Sequence, residues 1–244
     1  MKPTDENSLH GKGSWLGKIQ TYLAEAVYGG IDGSVTTFAV VAGAAGAHLD
    51  SSIVIILGFA NLLADGFAMS VGSFLSQKAE IAQYNKHRAI EYWEIDNMPD
   101  IEKDEIREIY ANKGFEGDLL EQVVEVITAD KDRWVDTMMK DELEMYHPGK
   151  PPFFTAVATF TAFILVGLIP LVVYVMDYFN NLEDVDLFST ASVLTGIAFV
   201  FIGALKAFVA KTHMLRGIAE TLFLGASAAV IAYYVGVVLE KLFL

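Results

Sequence analysis

The stretch SSIVIILGFANLLADGFAMSVGSFLSQ, residues 51–77, decides how this chain must fold. It carries one charged residue, Asp65, and exceeds the ~20 residues a helix needs to cross ~30 Å of hydrocarbon at ~1.5 Å per residue. A transmembrane helix is therefore expected. A carboxylate held at membrane depth costs about 2.5–3.5 kcal/mol on insertion scales, so it usually faces a polar pathway and marks function. Met69 lies one helical turn beyond Asp65, and the preceding apolar stretch, Ala26 to Leu49, holds a second acid, Asp32, within the run Tyr28-Gly29-Gly30-Ile31-Asp32-Gly33-Ser34. Two acids in consecutive spans, one stacked on a thioether, point to a route for a cation.

Working outward, three further runs lack any Asp, Glu, Lys or Arg: Phe153–Met176, Leu187–Leu205 and Thr221–Leu239. The chain is 53% hydrophobic yet has a formal net charge of −14, so apolar and charged residues must be segregated. The fold class read from this pattern is all-α, a polytopic membrane protein with five transmembrane helices. Basic residues fix the orientation, because loops rich in Lys and Arg stay cytoplasmic. Lys2, Lys12 and Lys18 precede the first span, ten more lie in residues 78–150, and Lys206, Lys211 and Arg216 join spans four and five. The loop Asp177–Asp186 has four acids and no base. The N-terminus is expected inside and the C-terminus outside.

The segments that follow are a cytoplasmic lead-in (1–20), spans one and two (21–77), a soluble insert (78–150) and spans three to five (151–244). The first twenty residues lack the apolar core of a secretory signal peptide. Trp15, Ile19 and Tyr22 share a helical face suited to an interfacial lead-in helix. Cysteine is absent, so any metal must be held by oxygen, imidazole or thioether. No nucleic-acid partner is expected of so acidic a chain.

The insert has nineteen acidic and ten basic residues, a net charge of −9. Pro99 and Asp100 punctuate it, Gly114 and Gly117 mark a turn, Asp130 is placed to cap a helix, and Pro148–Pro152 leads back to the membrane. No breaker occurs between Gln77 and Asn97, so the first insert helix should continue directly from span two. Glu91 and Glu94 are three apart, as are Glu102 and Glu105, and Met138, Met139 and Glu142 put thioether and carboxylate on one face of the last helix. Side chains three or four apart share a face, and helical bundles build carboxylate metal sites from such pairs. The ordinary alternatives are a solvated acidic surface and methionines that fill a core. The sign of the charge favours the metal reading, since carboxylates without nearby Lys or Arg repel one another unless cations bind.

The segment from Asp32 through Thr36, Thr37 and Gly43 to Ala47, with Ala60-Asn61-Leu62-Leu63-Ala64-Asp65-Gly66-Phe67-Ala68-Met69, resembles the vacuolar iron transporter family, and the resemblance covers almost the whole chain past residue 20. Gly167 and Pro170 match the Gly-x-x-Pro of the family's third span. The resemblance implies a homodimer that moves ferrous iron, and often manganese, cobalt or zinc, out of the cytosol in exchange for protons. It implies a membrane pathway at Asp32 and Met69 between two subunits. It further implies a cytoplasmic metal-binding insert built on Glu91, Glu94, Glu102, Glu105, Met138, Met139 and Glu142. One departure stands out: some relatives carry a span-two glutamate where this chain has Asn61, or near Ser73, and this chain offers Asp65 instead. Asn61, Asp65, Met69 and Ser73 still form one polar stripe at i, i+4, i+8 and i+12.

Carboxylate with thioether is an informative ligand set, because oxygen alone suits Mg²⁺ and Ca²⁺ whereas sulfur favours later first-row metals such as Fe²⁺. A carboxylate in low dielectric holds a proton until a cation displaces it, so Asp32 and Asp65 could couple metal and proton fluxes. The glycines around Asp32 either loosen the helix and expose carbonyls to the path or serve close helix packing. Glu25, two turns before Asp32, is either an entrance ligand or a solvated acid. Glu220 could pair with Lys206, Lys211 or Arg216. The scattered histidines, His10, His48, His87, His147 and His213, show no paired ligand spacing. The expected function is a cation/proton antiporter with no resident cofactor, in a bacterial plasma membrane or a vacuolar one. A metal channel and a carboxylate-bridged iron-oxidising enzyme are the alternatives, the latter disfavoured because such sites normally include the Glu-x-x-His motif.

Overall fold

The computed structural model describes residues 15–180 and 185–243, with side chains from residue 21 onward. Every regular element among them is helical. In chain order they are α1 (Trp15–Gly46), α2 (Ser51–Asn97), α3 (Pro99–Asn112), α4 (Gly117–Thr128), α5 (Lys131–Thr137), a π-helical turn (Met138–Glu142), α6 (Pro152–Gly167), α7 (Ile169–Asn180), α8 (Leu187–Ala210) and α9 (Met214–Phe243). The chain divides into two compact units, one of Leu75–Pro151 and one of the remainder. The expected run of helix from span two into the insert is found in α2. The side chains of Trp15 and Ile19 lie outside the described residues, whereas Tyr22 stands 6.5 Å, ring to ring, from Phe154.

Among the described residues three single helices, α2, α8 and α9, are long and apolar enough to cross a membrane, and α6 with α7 makes a fourth span if the bent pair is taken together. α1 has the length, but Asp32, its threonines and its glycines keep it outside that group. The bend between α6 and α7 is 49°. Its cause is Pro170, which has no N–H to give the carbonyl of Val166 and clashes with a straight helix. The chain recovers at once: the N–H groups of Leu171 and Val172 both donate to the Leu168 carbonyl. At the start of α8 the Asp186 carboxylate caps the helix by accepting from the Ser189 N–H at 3.1 Å.

α1 is the pillar of this unit and packs on α6, α7, α8 and α9. Val41, Val54, Leu62, Phe163, Leu171 and Tyr174 form one buried apolar cluster around it, and Phe38, Ala42, Phe199 and Ala229 form another. The glycines settle which of their two readings applies. A Cβ at Gly29 would stand 2.5 Å from the Thr159 carbonyl oxygen, and one at Gly33 would collide with that of Phe163, so α1 meets α6 backbone to backbone. At the other end of α1, Gly46 and Gly236 make the same kind of approach to Tyr233 and Gly43, drawing α9 against it. Close packing is thus their role here, and α1 runs unbroken through Asp32; the discontinuity sits in α6–α7 instead. Gly33→Ala should lower stability by about 1–3 kcal/mol, the usual cost of forcing a methyl group into a full interface. An unchanged midpoint of thermal unfolding in detergent would show that α6 can back away freely.

The other unit has its own core of Tyr84, Ile95, Ile106, Val124, Ile127, Trp134, Val135, Met138 and Met139. Asp130 caps α5, its carboxylate accepting from the Arg133 N–H at 2.8 Å as the sequence led us to expect. Pro99 occupies the first turn of α3, where its missing N–H costs nothing. Gly114 and Gly117 take φ of +94° and +58°, conformations in which a side chain would be strained.

Candidate metal centre and membrane pathway

Two helices converge on one acidic centre in the Leu75–Pro151 unit. Glu91 and Glu94 come from α2 and Glu102 from α3, and one carboxylate oxygen of each lies within 4.8 Å of the others. Glu91 and Glu102 are each only 3% exposed, an unusual fate for a charged residue without a partner. One oxygen of each, Oε2, is buried with no hydrogen-bond donor among the described residues. Leaving such an acceptor unsatisfied costs about 1–3 kcal/mol, a cost that a proton, a cation or a water molecule at that oxygen would remove.

The electrostatics agree. Burial is the main cause that pushes Glu91 up to about 8, with the charges of Glu142, Glu102, Glu94 and Glu105 adding to it. Glu102 is pushed up to about 7 by burial, then by Glu105, Glu94 and Glu142. Glu105 is raised by burial and by Glu94 and Glu108, and Glu142 by burial and by Glu105 and Glu94. Every group acting on these four is another carboxylate. Three bases of the insert are occupied elsewhere: Arg107 with Asp104 and Glu121, Lys113 with Asp141, and Lys131 with Asp96. Among the described residues, no ion pair reaches Glu91, Glu94, Glu102, Glu105 or Glu142.

The structure therefore brings together Glu91, Glu94 and Glu102 within ligand distance of one another and sets Glu105 and Glu142 in their field. Met138 and Met139 are wholly buried in the apolar core, on the π-turn that follows α5. In that turn the Leu143 N–H reaches five residues back to the Met138 carbonyl, which widens the helix where the two thioethers lie. Sequence reading missed what holds α5 to α2. Tyr92 donates to the Asp132 carboxylate at 2.5 Å, while Arg88 donates to the Tyr92 hydroxyl and Lys131 stands over its ring. Only pairing across forty residues reveals this contact, and no local spacing encodes it.

In the membrane-spanning unit Asp32 and Asp65 are half-buried and close enough to interact electrostatically. The turn that carries Asp32 is reinforced by side-chain hydroxyls. Ser34 Oγ donates to the Gly30 carbonyl at 2.8 Å and Thr36 Oγ1 to the Asp32 carbonyl at 2.9 Å. Asn61 lies one turn before Asp65, and its Nδ2 is a buried donor without a hydrogen-bond acceptor among the described residues. Met69 is half-buried and packs against the cluster of Leu62 and Phe163. Glu25 is half-buried, neither deep in the unit nor fully solvated. Glu220 pairs with Lys206 and Arg216, two of the three partners expected from the sequence. His48 was assigned no role by spacing; its Nδ1 lies 3.0 Å from a Glu240 carboxylate oxygen, a contact between residues far apart in sequence.

The chain is 34% identical over 225 residues to the vacuolar iron transporter of Toxoplasma gondii, covering 90% of this chain and 74% of that protein. It is 31% identical to vacuolar iron transporter 1 of Arabidopsis thaliana, covering 89% of this chain and 86% of the relative. To vacuolar iron transporter 1 of Tulipa gesneriana it is 29% identical, over 95% and 92% of the two chains. These relatives are named as transporters, in keeping with a membrane protein of metal transport and with a chain that is not an enzyme. The profile of the VIT family matches residues 23–237, so the chain belongs to the VIT family.

Proposed function

We propose that this protein is a proton-coupled exporter that carries ferrous iron and related divalent ions, Mn²⁺, Co²⁺ and Zn²⁺, out of the cytosol. The observation that carries this reading is the group Glu91, Glu94 and Glu102, two of them buried and one half-buried, within ligand distance of one another and with no ion pair to a base among the described residues, in a chain of a transporter family. In this reading α1 is the first of five spans, the bent pair α6–α7 the third, and the insert faces the cytosol with the N-terminus. The protein works as a homodimer. Glu91, Glu94, Glu102, Glu105 and Glu142, with the thioethers of Met138 and Met139, collect ions at the cytosolic side. Asp32, Asp65 and Met69, with Asn61 on the same stripe and Glu25 toward the cytosolic end of α1, form the crossing.

The chemistry follows from competition for the same lone pairs. Asp32 and Asp65 offer half-buried carboxylates to the path, and a divalent ion and protons compete for those oxygens. An ion leaving toward the proton-rich side is replaced by protons on the same oxygens. The two fluxes are thereby tied to one pair of side chains. The deciding experiment is uphill Fe²⁺ movement in liposomes under an imposed pH gradient. Movement only down the metal gradient, indifferent to pH, would make the protein a channel.

Met69 sets selectivity through its sulfur. Replacing it with Ala should let Mg²⁺ compete with Fe²⁺ roughly tenfold better, because the remaining oxygens suit hard ions. Stability should change less, since the side chain is only half-buried. If Mg²⁺ competition is the same in both proteins, the thioether is packing alone.

A further inference from the structure

The turn between α8 and α9 has only three residues outside the helices, Lys211 to His213, and it joins two helices apolar enough to span a membrane. So short a link must lie at the membrane surface, wherever the rest of the chain goes. Its exposed side chains are of two kinds. Phe208, Met214 and Leu215 are 64%, 53% and 70% exposed and need a cover other than water. Lys211, His213 and Arg216 stand among them and are exposed as well.

Glu220 organises the bases. Its two carboxylate oxygens are divided between two cations: Lys206 Nζ donates to one at 3.0 Å and Arg216 Nε to the other at 3.0 Å. One acid thus fixes a base from α8 beside a base from α9 and neutralises only one of them. Arg216 uses its Nε–H in this pair, which leaves the outer edge of its guanidinium, with a side chain 80% exposed, facing away from Glu220. A guanidinium edge is shaped for two oxygens of a phosphate, and a neighbouring ammonium adds a point charge. In a chain of net charge −14, this corner carries an excess of positive charge.

From this arrangement we infer that the α8–α9 corner is a receptor for the phosphate of an anionic phospholipid, with Lys211 and Arg216 binding the headgroup and Glu220 acting as a positioning residue. Phe208, Met214 and Leu215 enter the acyl boundary beneath the headgroup. The occupant is a lipid and not free phosphate, because the apolar side chains interleaved with the bases would stay uncovered beside an inorganic ion. The inference rests on the membrane reading of α8 and α9, but not on the direction or coupling of transport.

The test measures thermal unfolding of the purified full-length protein in detergent, titrated with phosphatidylglycerol, phosphatidylcholine or inorganic phosphate. Phosphatidylglycerol should raise the unfolding temperature of the wild type, and the other two should not. Lys211→Gln and Arg216→Gln should each weaken phosphatidylglycerol binding roughly fivefold, the attraction expected of one basic residue at an anionic surface. Glu220→Gln separates a built receptor from a merely basic patch. It makes the corner more positive, so bulk attraction would strengthen binding, whereas loss of the clamp weakens it. Equal stabilisation by the two lipids, an equal effect of inorganic phosphate, or tighter phosphatidylglycerol binding by Glu220→Gln would each overturn the proposal. Lys211 and Arg216 are surface side chains, so both variants should unfold in phosphatidylcholine at the wild-type temperature.

Discussion

Asp32→Ala should reduce metal flux in proteoliposomes to the level of protein-free vesicles while the protein stays folded. Asp32 is a half-buried acid on the central pillar, within electrostatic reach of Asp65, and its backbone is held by the Thr36 hydroxyl at 2.9 Å. Alanine keeps that backbone and removes only the carboxylate. A divalent ion would then meet one acid where there had been two, and the loss of a charged ligand in low dielectric is among the largest single deletions available to a transport path. Asp32→Asn is the companion test, since it keeps the shape but cannot exchange a proton. Uptake by the Ala variant at even half the wild-type rate would remove Asp32 from the pathway.

The isolated segment 75–151 should be most stable in acid, the reverse of most small domains. Glu91 and Glu102 are held near 8 and 7 in the fold, against an ordinary value of 4.5 once unfolded. Below pH 4.5 both states are protonated and the term is absent. As the pH rises through 4.5 the unfolded chain releases its protons first, while the folded chain retains them, so stability falls until about pH 8. The loss should be on the order of 2–4 kcal/mol, reduced from the full sum by hydration at the mouth of the cluster. Divalent ions should abolish the fall, because they take the place of the protons at neutral pH. Urea denaturation between pH 4 and pH 8, with and without Mn²⁺, reads both effects, and Glu91→Gln with Glu102→Gln should flatten the curve. A metal-free segment that grows more stable toward pH 8 would return these glutamates to an ordinary solvated surface.

Much of the fold was legible because membrane solvation leaves so few options. Apolar runs of about twenty residues read directly as helices, and the absence of a breaker from Gln77 to Asn97 is why α2 runs on without a turn. The acidic pairs were legible for a similar reason: three-residue spacing places Glu91 and Glu94 together on any helix. What spacing could not tell is depth. Glu102 is buried and Glu105 only half so, although the two share a face, because burial depends on which neighbouring helix arrives there. The glycines near Asp32 had two physical readings in the sequence, and only the position of the α6 backbone decided between them. Tyr92 with Asp132 and His48 with Glu240 were invisible for the same reason, being pairings of residues 40 and 192 positions apart.

The backbone contacts of α1 also govern the order in which this protein can be assembled. Its partners at Gly29 and Gly33 lie on α6, and those at Gly43 and Gly46 lie on α9, far along the chain from α1. The segment with the weakest claim to the bilayer therefore emerges ahead of the surfaces that cover it and must wait for α6 and α9 to follow. During that wait the helix that carries Asp32 lacks the cover of α6 and α9. A chain that stops short of Gly236 would carry every acid of the pathway and still leave its central helix unclamped, a candidate for expulsion and quality-control degradation before any ion could reach it.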